Sequence, residues 1–192
     1  MGRKITDGWE KTLEEVESDD VQDALERDLE GLKFAFVYYA SYAPKKHKGK
    51  AIGRTTTHLV MDEWLNALEA SKILNISGKT SKQDENDIGT LTMQRAQECF
   101  VAANSHSARL QRKNSSEQEE RSFRQMEFLE FLEALVHVAS RLRTDGTLAQ
   151  NLDYITEKFM ENVRKKSNHN EYQRAKNLMA TVDFGLDNLP HA

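Results

Sequence analysis

Cysteine, proline and glycine are all scarce in this chain, and each scarcity removes a class of structure. One cysteine, Cys99, rules out an internal disulfide, which fits a reducing, cytoplasmic setting. Cys99 lies among apolar helix positions and reads as a small buried hydrophobe. Two prolines and nine glycines in 192 residues leave too few turn residues for an all-β chain. Ile, Val and Thr are scattered singly, without the β-branched runs that strands favour. No apolar run is long enough for a transmembrane helix, and no secretory core is expected near the start. A formal net charge of −4 argues against a dedicated nucleic-acid binder. Catalytic signatures are missing as well: no nucleophile elbow, phosphate-binding glycine loop, HExxH or paired zinc cysteines. His47, His58, His106, His137, His169 and His191 are dispersed. Glu133 and His137, four apart on one helix, read as a local pair. The expectation is a non-enzymatic protein with no cofactor.

What is present is helical periodicity. Val21, Leu25, Leu29, Leu32 and Phe36 draw one face of a first helix, which continues through Phe34, Val37, Tyr38, Tyr39 and Tyr42. Its second half is apolar nearly all round, so it is expected to be central, stopping at Ala43 before Pro44. Thr55, Thr56 and Thr57 offer capping hydroxyls before a second helix carrying Met61, Trp64, Leu65, Leu68 and Leu74. A third helix starts near Thr92, with Leu91, Ala96, Phe100 and Ala103. Residues 104–125 read as an exposed loop. A fourth helix spans about Met126 to Arg143, with Phe128, Phe131, Leu132, Leu135, Val138, Ala139 and Leu142 inward. Asp145-Gly146 breaks it before a fifth helix on Leu148, Leu152, Ile155, Phe159 and Val163. A short helix is expected around Tyr172 to Met179, followed by an apolar but aperiodic tail, Val182 to Leu186.

The first four helices pair as two helix–loop–helix units. A calcium-binding EF-hand loop needs oxygen ligands at positions one, three, five, seven and nine, glycine at six and a bidentate glutamate at twelve. Asp84, Asn86 and Gly89 fit three of these positions, but Ile88 holds position five. Arg95 stands where the glutamate belongs and would oppose a cation. In the later unit Met126 and Glu130 fit positions eight and twelve, while Glu119, Arg121, Phe123 and Arg124 occupy upstream ligand or glycine positions. No metal site is therefore expected. The fold class is all-α, with two degenerate EF-hand-like helix–loop–helix units and additional N- and C-terminal helices. Residues 1–20 form an acidic extension, 21–143 the four-helix core, and 144–192 the C-terminal helix and tail.

The run Phe34-Ala35-Phe36, then Met61 with Trp64 and Leu68, Lys72-Ile73-Leu74, Leu91-Thr92 with Phe100, and Phe128 through Leu135 resembles the p25-alpha fold of the tubulin polymerization-promoting protein family. It is also similar to divergent EF-hand-like modules of protist cilia. The resemblance covers about residues 30–143, apart from insertions at 78–87 and 109–124. It implies a structural or adaptor protein associated with microtubules in a cilium or flagellum axoneme, without calcium dependence. The alternative in the same class is an EF-hand-type calcium sensor or calcium-regulated adaptor.

Partner-binding candidates follow from charge and apolarity. The basic run Lys45, Lys46, Lys48 and Lys50, extended by Arg54, suits an acidic surface such as that of tubulin. Arg109, Arg112 and Lys113, and Arg164, Lys165 and Lys166, form two weaker clusters. Glu127, Glu130 and Glu133 make an acidic row expected to be a solvated face. Phe184 and Leu186, with Leu189, are expected to anchor against another chain. Met1 to Thr6 fits the loose N-myristoylation pattern, with Gly2 as the acceptor of a weak anchor.

Overall fold

The computed structural model describes residues 18–42, 58–75, 90–111, 125–142 and 144–186. Among them seven helices run in order: α1 (Asp19–Arg27), α2 (Leu29–Tyr42), α3 (Met61–Ala70), α4 (Met93–Gln111), α5 (Phe128–Arg141), α6 (Leu148–Lys166) and α7 (His169–Met179). The mostly helical character matches the sequence expectation. Four two-residue strands are added to it: β1 (Leu59–Val60), β2 (Leu74–Asn75), β3 (Leu91–Thr92) and β4 (Gln125–Met126).

Three boundaries differ from expectation. The long first helix is two helices, broken at Asp28, whose backbone sits at φ −105°, ψ 9°. Asp28 then accepts the Leu32 N–H through its carbonyl at 2.9 Å, opening α2. Asp favours such helix starts because its side chain competes with helical backbone bonding. The helix after Leu91 runs on to Gln111, through residues expected to form a loop. Leu74 belongs to a strand rather than to the face of α3. Its chain leaves α3 through Lys72 at φ +60°, with the Ile73 N–H bonded back to the Leu68 carbonyl at 2.9 Å. This left-handed exit with a six-to-one bond is the Schellman closure of a helix.

Helix α2 is central because it is apolar on every side from Phe34 to Ala40, all of which are buried. Phe36 meets Phe128 and Phe131 of α5, each at 5.5 Å between ring centroids. Tyr39 meets Phe159 of α6 at 5.5 Å, and Phe34 meets Tyr172 of α7 at 4.8 Å. Gly31 brings α2 close to α6: a Cβ there would lie 3.2 Å from the Met160 sulfur. Trp64 of α3 is fully buried, stands edge-on to Phe131 at 6.1 Å, and donates its indole N–H to the Ala96 carbonyl at 3.0 Å. That bond gives the one polar atom of a large apolar ring a partner inside the core.

Candidate functional site

Two short ladders hold the ends of the inter-helix segments. β1 pairs antiparallel with β4, Leu59 opposite Met126 and Val60 opposite Gln125. Both Leu59 and Met126 are fully buried. β2 pairs parallel with β3, Leu74 opposite Leu91 and Asn75 opposite Thr92. The β1–β4 ladder makes α2–β1–α3 and α4–β4–α5 two matching halves, each reading helix, segment, strand, helix.

The halves match in chemistry as well as order. Four residues after Leu59 comes Glu63, and four after Met126 comes Glu130. Both carboxylates are buried, 6% and 7% exposed. Glu63 accepts the Val60 N–H at 3.0 Å, and Glu130 accepts the Glu127 N–H at 2.7 Å. Each therefore reaches back from the third helical position to the residue before the helix, satisfying a donor that helix geometry leaves open. The ladder is closed at one end by His58 and Glu127, with Nε2 and Oε1 3.7 Å apart. The role of Glu63 went unread in the sequence, although Leu59 to Glu63 repeats the Met126 to Glu130 spacing.

This geometry corrects the acidic row at Glu130. Glu130 is a buried helix cap, Glu127 faces His58, and Glu133 lies 3.5 Å from the Nε2 of His137, which is itself buried. Glu130 leaves the expected solvated face, Glu133 is partly covered, and Glu127 stays on that face with 65% of its side chain exposed. The Glu133–His137 pair matches the expected local pair.

The other predicted site residues fall as follows. Lys45, Lys46, Lys48, Lys50 and Arg54 lie outside the described residues, as do Asp84, Asn86, Gly89 and Gly2. Arg95 sits in the first turn of α4, where its N–H reaches the Thr92 hydroxyl at 3.4 Å. Phe184 and Leu186 lie against the chain's own body. The Phe184 ring packs on Phe128 at 4.8 Å, with the Lys33 ammonium 5.5 Å above it. Gly185, at φ +69°, turns the backbone beside Leu129 in a conformation that favours glycine. Arg164 and Lys165 are exposed on α6, and Lys165 pairs with Glu161. Hydrogen bonding to Lys165 holds the Glu161 carboxyl below its usual range.

Cys99 is fully buried, and burial pushes its thiol up to about 11, against a smaller opposing effect of the Arg141 guanidinium. A thiol held protonated in this way is a poor nucleophile. Among the described residues no group of three His, Cys, Asp or Glu side chains could hold a metal ion. Among the same residues no helix is long and apolar enough to cross a membrane.

No protein-family model matches the chain, and no curated protein or solved structure matches it.

Proposed function

We propose that the chain is a non-enzymatic adaptor built on two degenerate EF-hand-like units, and that it associates with microtubules in a cilium or flagellum without using calcium. The observation that carries this reading is the β1–β4 ladder, with Glu63 and Glu130 in matching places beyond it. An EF-hand pair joins its two loops by such a ladder, and its closing glutamate comes four residues after the apolar loop position. In a calcium loop that glutamate is a bidentate ligand at position twelve. Here both glutamates serve as helix caps.

Counting back eleven residues, from position twelve to position one, explains why these loops suit no calcium ion. From Glu63 the first, third and fifth positions are Ile52, Arg54 and Thr56; from Glu130 they are Glu119, Arg121 and Phe123. An arginine falls at the third position in both. A guanidinium among the ligands repels a divalent cation, so a scaffolding role suits these loops better than sensing.

The partner class is supported by the p25-alpha-like residue pattern and by the basic run Lys45 to Arg54. The test is co-sedimentation of the purified full chain with stabilised microtubules across a salt series. Pelleting that fades as salt rises, and that falls when Lys45, Lys46, Lys48 and Lys50 are changed to Glu, is the expected outcome. No pelleting at low salt would sink direct microtubule binding. Calcium titration calorimetry addresses the other half: heat fitting a micromolar site would replace the scaffold by a calcium sensor.

A further inference from the structure

The last described segment, residues 168–186, lies over an aromatic surface but enters it only shallowly. Of the eleven residues of α7, only Ala175 is buried. Tyr172 is 41% exposed even though its ring rests on Phe34. Leu178, Met179, Val182, Phe184 and Leu186 are partly buried against the core. Beneath them Phe34, Tyr38 and Phe128 are nearly fully covered, at 6%, 7% and 3% exposed. Phe34 and Phe128 are thus covered in part by the rings of a segment that keeps most of its own side chains in solvent.

The caps and turns of this segment are hydrogen-bonded within it. Asn168 and Glu171 exchange a capping box, at 2.9 and 3.2 Å. The Thr181 hydroxyl donates to the Leu178 carbonyl at 2.8 Å, and Asp183 accepts the Gly185 N–H at 2.9 Å. The segment meets the body through rings, apolar side chains, the Lys33–Phe184 contact and Glu171, whose carboxylate, after burial, helps hold the Tyr38 phenol above its usual range. A piece so built can detach without breaking the helices under it. Low local stability of that kind is what ligand-gated elements require.

We infer that the surface formed by Phe34 and Tyr38 of α2 with Phe128 of α5 is a docking groove for an amphipathic helix of a partner protein, and that residues 168–186 are its resident occupant. The occupant states the chemistry that fits. It has an aromatic at the first anchor (Tyr172), a small residue three on (Ala175), an aliphatic pair after that (Leu178 and Met179), and a second aromatic (Phe184) beneath a lysine. A partner helix of the same pattern would exchange with the segment rather than add to it. Tethering holds the resident copy at an effective concentration of about millimolar order, so the exchange suppresses weak partners and admits strong ones. The groove deepens the adaptor reading by naming a partner chemistry, and its test contains no tubulin, so the two can fail separately.

The probe is a labelled synthetic peptide of residues 168–186, titrated into full-length chain and followed by fluorescence anisotropy. Wild-type chain should bind it weakly. The full-length double variant Tyr172→Ala/Phe184→Ala should bind it at least about tenfold more tightly, because its own arm no longer competes. A peptide carrying the same two alanines should not bind the double variant. Equal affinity of the two chains, or no binding by either, would overturn the proposal. So would a doubled mass of wild-type chain in light scattering that the peptide reverses, since the natural occupant would then be a second copy. Hydrogen exchange of the wild-type chain decides the matter even if the double variant fails to fold. Amides of 171–179 should exchange through local opening at least about a hundredfold faster than those of α5. Equal protection would make the arm part of the cooperative core and end the idea.

Discussion

Helices α6 and α7 are separated only by Ser167 and Asn168, and both begin with a capping box, yet one is core and the other a cover. Thr147 and Gln150 start α6 by mutual bonds at 3.3 and 2.9 Å, as Asn168 and Glu171 start α7. Caps therefore do not separate them. Depth does: Leu152, Ile155, Phe159 and Val163 of α6 are all essentially inaccessible, against Ala175 alone in α7. Polar residues of α6 also enter the core with partners. Asn151 donates to the Ala139 carbonyl at 3.0 Å, and Asn162 donates to the Tyr39 hydroxyl at 2.5 Å. Such pairs tie α6 to α5 and α2, because leaving either buried group unpaired would be costly. Amphipathic periodicity marks a helix that lands on something; only side-chain burial shows how much of the fold depends on the landing.

The largest expected effect is Phe159→Ala. It removes a ring that touches both Tyr39 and Phe131 and leaves a cavity, costing about 3–5 kcal/mol in urea unfolding. A loss under about 1 kcal/mol would erase the distinction between the two helices.

Alkali tests the buried side of the comparison by a different route. The Cys99 thiol rises from 9.0 to about 11 on folding. Below pH 9 it is neutral in both states and its contribution is fully present. As pH rises, the unfolded thiol ionises first, and stability should fall by roughly 2–3 kcal/mol by about pH 11. Cys99→Ala should remove that share of the alkaline loss, measured as the pH dependence of the urea midpoint.

Matching caps provide the next contrast. Glu130→Ala strips a buried cap in the core and should cost about 1–2 kcal/mol of global stability. Glu171→Ala strips the equivalent cap in the arm and should cost only a few tenths of a kcal/mol globally while fraying α7. Equal global costs would mean that α7 unfolds with the core rather than before it.

The helices were largely legible because their apolar stripes are long enough to show a period; α6 was read from Leu148, Leu152, Ile155, Phe159 and Val163 alone. The break at Asp28 was not, since Leu25, Leu29 and Leu32 carry the stripe across it in register. The end of α4 was also missed, because residues 105–111 continue the helix without an apolar stripe. The strands have two residues each, too short for any period. Their pairing joins positions as distant as Leu59 and Met126, which only the tertiary fold brings together. Of the site, the acidic row and the Glu133–His137 pair were visible as residues, but the His58–Glu127 contact depends on the ladder and the burial of Glu130 on the packing around it. Phe184 and Leu186 stood out as apolar without announcing that they land on the same chain, Phe184 on Phe128 of α5.

The smallest expected effect is the most discriminating. Tyr172→Ala removes the ring on Phe34, whose pairing is worth about 0.5–1.5 kcal/mol beyond its burial. If α7 opens before the core, that energy belongs to the local equilibrium and not to global unfolding. The urea midpoint should then move by less than about 1 kcal/mol equivalent, while amide protection across 169–179 collapses and that of α5 stays unchanged. A global loss approaching that of Phe159→Ala would place α7 in the cooperative core despite its exposed side chains. Burial of the surface beneath, rather than of the helix above, would then set its contribution.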